Sequence, residues 1–403
     1  MKYDFTSIMD RRGRDAIAVD MIGDPEGFAP GAPKNGFDAI PMWVADMNFP
    51  VVPTIQQALI ERINHPAFGY FEPTKAYFDA IIRWHETRNG VSGLRPEHIG
   101  YENGVLGGVI STMQVVCQPG GKILLHSPTY IGFTACLENA GYELVHSPLV
   151  LDADGIWRMD FADMEEKLKT QDIRATVFCS PHNPTGRVWE RWEIERAMAL
   201  FQKYDVTVVS DEIWSDIILP GHKHVPTQSV SEDAKNRTVA LYAPSKTFNL
   251  AGLVGSYHII YNEDLRCRHD KAASLSHYNS MNVLSMHALL GAYKPEGYEW
   301  VDELREVIAG NVAFACGFIA EHFPGIRVSR PQGTYMLFLD CENWCKATGK
   351  TVEDLLHAGW DVGVAWQDGR PFHGENHIRV NLALPLSRVK EAFQRLETYV
   401  FNA

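Results

Sequence analysis

Residues 175–211 read ATVFCSPHNPTGRVWERWEIERAMALFQKYDVTVVSD, and this stretch decides the fold. It opens on Ala175–Ser180 and closes on Val206–Ser210, two short runs rich in β-branched residues and of strand length. Between them, Trp189–Tyr204 places Trp192, Ile194, Ala197, Leu200 and Phe201 at helical intervals, as a helix crossing over a sheet requires. Strand, helix and strand in this order predict an α/β protein with a central, mostly parallel sheet.

The pattern extends on both sides. Lys122–His126 and Thr238–Ala243 have the same strand character, and longer amphipathic stretches separate all four runs. A large domain over residues 46–285 accounts for them. Residues 286–403 open on a long helical pattern and continue through strand-like Gly325–Ser329, Tyr335–Asp340 and His377–Leu382 to a final helix from Ser387. That region predicts a smaller α+β domain. Residues 1–45 carry Pro25, Pro30, Pro33, Gly36 and Pro41, and read as an arm that packs against the smaller domain.

Composition narrows the function classes. The chain has 403 residues, 37 Lys+Arg against 50 Asp+Glu, a net charge of −13, 45% hydrophobic and 22% charged residues, the proportions of a soluble globular protein. A chain of this length buries roughly three quarters of the surface it exposes when unfolded. The acidic balance and the lack of a basic run argue against nucleic-acid or anionic-membrane partners. Apolar stretches such as Ile123–Leu125 fall far short of the ~20 residues of a membrane span. The first twenty residues mix charges without an apolar core, so no cleaved leader is expected. Seven scattered cysteines without a Cys-x-x-Cys pair suit a reducing cytoplasm. Cys341 and Cys345 are close in sequence but lack a neighbouring His or second pair, so no metal site is expected.

The chemistry lies just beyond the end of each strand. SPTY ends at Tyr130, PHNPTG holds Asn183, the third run leads into Asp211, and PSK carries Ser245 and ends at Lys246. Four strands thus deliver an aromatic ring, an amide, a carboxylate and an amine at their C-terminal ends, the edge where open parallel sheets bind ligands. These are the parts of a pyridoxal 5′-phosphate site: an amine for a Schiff base, an anion facing the pyridine nitrogen, a donor to the ring oxygen and a face to stack on. NGVLGGVIS, from Asn103, passes into a helical run ending near Cys117, which places the N–H groups of Val105 and Leu106 to meet a phosphate. Neither Gly-x-Gly-x-x-Gly nor a P-loop is present, and His-Glu-x-x-His and Gly-x-Ser-x-Gly are also missing. His182 neighbours Asn183, whereas His222 and His224 lie in a Gly/Pro-flanked loop that suggests solvated or turn roles.

SPHNPTG, SDEIWSD and APSKTFNLAG, in this order and spacing, resemble the fold-type I pyridoxal-phosphate enzymes of the aminotransferase class I/II family. IPMWVADMNF, FGY at Phe68–Tyr70 and PSKTFNLAGL are similar to its branch of cystathionine β-lyases and cysteine-S-conjugate β-lyases, which includes a bacterial modulator of the maltose regulon. The resemblance implies that Lys246 is the Schiff-base lysine and proton shuttle, and that Asp211 partners the pyridinium nitrogen. It implies further that Asn183 donates to the ring oxygen beside the substrate, that Tyr130 stacks, and that Val105, Leu106 and Ser245 belong to the cofactor pocket. Tyr70 would reach a cofactor phosphate across a dimer interface. Arg379, in HIRVNLALP, would hold a substrate α-carboxylate.

Two positions depart from the wider family. Trp214 stands where many aminotransferases have tyrosine, and Val254 where they have a phosphate-binding arginine. An indole donates one N–H and cannot ionise, so tuning at that corner differs. The implied protein is a cytoplasmic homodimer with shared active sites, acting on a small amino acid. Its implied reaction is C–S β-elimination from L-cystathionine or related S-substituted cysteines, giving a thiol, pyruvate and ammonia. An aminotransferase is the alternative, and a regulatory protein that keeps the fold without catalysis is another.

Overall fold

The computed structural model describes residues 1–276 and 279–402. Strands β1 (Ile99–Glu102), β2 (Lys122–Ser127), β3 (Glu143–Leu151), β4 (Trp157–Met159), β5 (Ile173–Cys179), β6 (Thr207–Asp211), β7 (Thr238–Tyr242) and β8 (Ser256–Ile259) form one sheet, ordered β1-β8-β7-β6-β5-β2-β3-β4. The run β7-β6-β5-β2-β3 is parallel throughout, while β8 and β4 run antiparallel to their neighbours. The mostly parallel sheet expected from residues 175–211 is present.

Side-chain alternation explains why those strands are almost wholly apolar. Ile123 and Leu125 of β2 and Val209 of β6 enter one hydrophobic cluster, whereas Leu124 and Val208 enter another on the opposite face. Both faces are buried, as a parallel sheet under crossover helices requires. Helix α1 (Val105–Val116) covers the first face with Val105, Val109 and Met113, and α2 (Arg191–Lys203) covers the second with Ile194, Ala197, Met198 and Phe201. A capping box between Glu190 and Glu193 starts α2. The expected apolar stripe of this helix is corrected in one place. Trp192 falls on the outer side of the first turn, 46% exposed, with the Arg158 guanidinium 5.8 Å from its ring centre.

A second sheet contains β9 (Arg327–Val328), β10 (Met336–Asp340), β11 (Gln367–Asp368) and β12 (His377–Asn381), ordered β9-β10-β12-β11 and antiparallel. The strand expected over 325–329 shrinks to two residues, because the chain leaves the edge of β10 through Arg330 and Pro331. Helix α3 (Pro295–His322) packs on α4 (Leu386–Leu396), and the largest hydrophobic cluster joins both helices to this sheet. The first 45 residues run along these elements. Ile40–Pro41 pairs in parallel with Val364–Ala365, Asp38 binds Arg388 and Arg395 of α4, and Phe5 packs 5.3 Å from Trp300 of α3.

Candidate active site

Chain order in the central sheet reverses at β2, which has β3 on one side and β5 on the other. A crevice opens beyond the C-terminal ends of strands at such a switch point, because the loops leave toward opposite faces. Here it is a cavity of about 250 Å³ whose lining includes Tyr130 after β2, Asn183 after β5, Asp211 at the end of β6, and Ser245 and Lys246 after β7. Asn103, Val105 and Leu106 close one end of it.

Asn183 and Asp211 are buried, Lys246 is half-buried, and Lys246 and Asp211 each have few partners. Lys246 Nζ donates to the Ala45 carbonyl at 2.8 Å and lies 6.0 Å from the centre of the Trp214 ring. Burial, with a smaller contribution from the Arg379 charge, lowers its pKa to about 8, although Asp46 and Asp211 pull the other way. Asp211 accepts the Ile213 N–H at 3.0 Å, and burial raises its pKa to about 7. Tyr130 precedes the helix Ile131–Asn139 and packs edge-on against Phe133 at 5.3 Å.

Arg379 meets this cavity from β12. Its Nη1 donates to Asn183 Oδ1 at 3.3 Å, and its Nη2 donates to Gln367 Oε1 at 2.5 Å and to the Trp43 carbonyl at 3.1 Å. Among the described residues its Nε has no partner, and the oxygens that hold its other nitrogens are all neutral. Burial lowers its pKa to about 10. A buried guanidinium held only by neutral oxygens is a receptor for an incoming carboxylate.

At the phosphate-like end, Gly104 takes φ +79°, which glycine adopts at little cost, and releases the chain into α1. The first N–H groups of α1 have no carbonyl within the helix, and Val105, Leu106 and Gly107 of this turn line the cavity. Val254 also lines the cavity with φ +50°, an uncommon conformation for a β-branched residue, while its carbonyl accepts from Tyr101 Oη at 2.7 Å. The donor set fits a flat phosphorylated pyridine: N–H groups for an anion at one end, a buried carboxyl across from them, an amine alongside and a tyrosine ring for its face.

The structure therefore brings Val105, Leu106, Tyr130, Asn183, Asp211, Ser245 and Lys246 to one cavity, with Arg379 joined to it through Asn183. Tyr70 is not among them. It stands on the outside of the single chain, fully exposed, and Phe68, Ile60 and Ile63 are exposed as well. His182 is buried but turns to Thr185 Oγ1 at 2.8 Å and does not line the cavity. His224 corrects the solvated reading of its loop: it is buried, with Nε2 2.7 Å from Glu212 Oε2, because that buried carboxylate needs donors. Sequence reading missed Ala45, Trp43 and Gln367, which hold Lys246 and Arg379. Two of the three act through backbone carbonyls, which leave no trace in residue type.

Comparison with known proteins agrees with this geometry. The family described as aminotransferase class I and II matches residues 40–396. Cystathionine beta-lyase PatB of Bacillus subtilis is 32% identical over 391 residues, covering 96% of this chain and 97% of its own. Protein MalY of Escherichia coli is 29% identical over 398 residues, covering 96% of each chain. The PLP-bound C-S lyase of Staphylococcus hominis superposes with a TM-score of 0.89 at 28% identity, over 99% of this chain and 98% of that one. With that match spanning the sheet that carries Lys246, Asp211 and Asn183 and the strand that carries Arg379, the chain belongs to the aminotransferase class I and II family.

Proposed function

We propose that this chain is a pyridoxal-phosphate-dependent C–S β-lyase that converts L-cystathionine or related S-substituted cysteines to a thiol, pyruvate and ammonia. The observation that carries the reading is the one cavity in which half-buried Lys246 and buried Asp211, each with few partners, meet the Asn183–Arg379 pair. The named lyases among its relatives choose the reaction.

Val105, Leu106, Ser245, Tyr130, Asn183, Asp211 and Lys246 are the residues that would hold the cofactor. When bound, pyridoxal phosphate supplies the electron sink that makes the substrate Cα–H acidic and a Cβ–S bond labile. Arg379 grips the α-carboxylate in its planar fork, and Asn183 fixes that fork, so the Cα–H bond is presented to Lys246. Desolvation lowers the Lys246 pKa to about 8, which favours the neutral amine that takes the Cα proton as general base. The proton it gains is then at hand for the departing sulfur.

L-cystathionine supplied without any 2-oxo acid should give sustained release of pyruvate and thiol in equal amounts. An aminotransferase would instead stop after a single turnover and resume when a 2-oxo acid is added. No pyruvate by lactate dehydrogenase and no thiol by a thiol reagent, with the amino acid consumed beyond one equivalent only when a 2-oxo acid is present, would overturn the lyase reading and leave the cavity assignment standing.

In this reading the protein works in the cytoplasm as a homodimer, with a cofactor domain over 46–285, a smaller domain over 286–403 and the arm 1–45 against the latter. Its seven cysteines are free, and no helix among the described residues is long and apolar enough to cross a membrane. Exposed Tyr70, Phe68, Ile60 and Ile63 support a partner surface, with Tyr70 serving the neighbouring subunit's phosphate end. Mixing inactive Tyr70→Phe and Lys246→Ala protomers should then restore about a quarter of native activity, because half of randomly exchanged dimers hold one site with both groups. No recovery after verified subunit exchange would contradict the shared site.

A further inference from the structure

Glu102 ends β1 immediately before the turn that enters α1, and its side chain is fully buried. His258 Nδ1 lies 2.7 Å and His269 Nε2 3.1 Å from its Oε1, while Ser111 Oγ donates to Oε2 at 2.9 Å and Asn279 Nδ2 at 2.8 Å. Burial alone would favour the neutral acid. The hydrogen bonds from the two histidines outweigh it and bring the pKa to about 2, so the group is a carboxylate. Glu102, His258 and His269 also present their ligand atoms within 4.8 Å of one another, enough in number to suggest a metal site. Two donors on each carboxylate oxygen already satisfy it, however, and among the described residues His269 Nδ1 has no partner of the kind that orients a metal-bound imidazole. The cluster is a completed hydrogen-bond network.

Where the network leads is its significance. Asn279 uses its amide twice: Nδ2 donates to Glu102 Oε2, and Oδ1 accepts the Asn103 N–H at 3.2 Å. On the other side of the same peptide, the Glu102 carbonyl accepts from Gly104 N–H at 2.9 Å and from Ser256 Oγ at 2.8 Å. The peptide joining 102 to 103 is thus held from both faces. Asn103, Gly104, Val105, Leu106 and Gly107 lead directly from it into the cavity wall.

We infer that Glu102 is a positioning residue for the anion-binding turn: its carboxylate fixes Asn279, Asn279 fixes the Asn103 N–H, and that bond sets the direction of the N–H groups at the start of α1. The inference rests on the reading of this cavity as a pyridoxal-phosphate site. Because the network meets the turn and not Asp211, Asn183 or Lys246, its loss should be felt by the phosphate and not by the ring.

Glu102→Gln tests this. An amide keeps the shape, but its NH₂ cannot accept, so donors that now meet one carboxylate oxygen lose their acceptor. Equilibrium binding of pyridoxal phosphate and of pyridoxal, the same ring without phosphate, should be measured side by side. For E102Q the pyridoxal phosphate Kd should rise about tenfold or more, with pyridoxal changing less than about twofold. The phosphorus-31 resonance of bound cofactor should also shift. Equal weakening of both ligands, or an unchanged pyridoxal phosphate Kd, would overturn the positioning role. Asn279→Ala removes the link and one of the four donors while leaving the carboxylate and its two histidines in place; the same phosphate-selective loss is expected, and E102Q's failure to fold would leave this variant to decide. A parent protein that binds pyridoxal phosphate no better than pyridoxal would overturn the cavity reading itself, a result distinct from either outcome for the variants.

Discussion

Lys246→Ala should lower pyruvate release from L-cystathionine by about 10⁴-fold or more, the combined loss of a positioned base and a covalent anchor. The geometry makes the expectation specific. Half-buried Nζ lines the cavity near Trp214 and within reach of the Asp211 charge, and its present partner is a neutral carbonyl of Ala45. Lys246 makes no direct ion pair, so removing the amine leaves no carboxylate without a hydrogen-bonded partner, and the variant should fold and still bind the cofactor reversibly. Two measurements separate a base from a structural lysine. Pyridoxal phosphate should dialyse away from the variant and not from the parent after borohydride reduction, and a small added amine such as methylamine should restore part of the release rate. Activity within tenfold of the parent, without added amine, would remove Lys246 from the mechanism.

The fold was legible where burial is two-sided. β2, β5, β6 and β7 read as short apolar runs because both sheet faces are covered, so their pattern needs no knowledge of partners. Trp192 shows the limit: helical spacing identifies a face, but whether a first-turn tryptophan sits inside depends on what crosses it, here Arg158 from β4. The two-residue β9 failed for a similar reason, since its length is set by where β10 stops pairing with it.

The candidate site divides in the same way. Tyr130, Asn183, Asp211 and Lys246 were legible because each comes directly after a recognisable strand and shares the sheet's C-terminal edge. Ala45 was not, because it meets Lys246 across 201 positions and through a carbonyl. Gln367 was not, because only the register of β11 on β12 sets it opposite Arg379. Glu102 looked like the end of a short strand; its donors come from β8, α1, the helix Glu263–Ser276 and residue 279, a convergence no local pattern encodes. Trp214 and Val254, the two departures from the wider family's pattern, both line the cavity.

Asp211→Asn should stabilise the cofactor-free protein at alkaline pH while lowering turnover of the loaded enzyme by about 10³-fold, the rate equivalent of roughly 4 kcal/mol for breaking a buried charge pair. The two effects share one cause. Burial raises the Asp211 pKa from 3.8 to about 7, so between those values the folded state holds a proton that the unfolded state has released. Stability from this group therefore falls as pH rises from about 4 to about 7, and above that the ionised carboxyl costs about 4 kcal/mol, order of magnitude. Asparagine keeps the acceptor for the Ile213 N–H and carries no charge to bury. Its NH₂ is a new donor, which offsets part of the gain by about 1–3 kcal/mol without any pH dependence. Melting the two cofactor-free proteins from pH 4 to pH 9 should show the variant's stability relative to the parent increasing across pH 4–7 and level thereafter. Saturating pyridoxal phosphate should reverse the order at pH 8, because only the carboxylate can answer a positive ring nitrogen. A relative stability that does not change with pH would show that Asp211 is not the desolvated group described. Equal stabilisation of both proteins by the cofactor would place the ring nitrogen elsewhere.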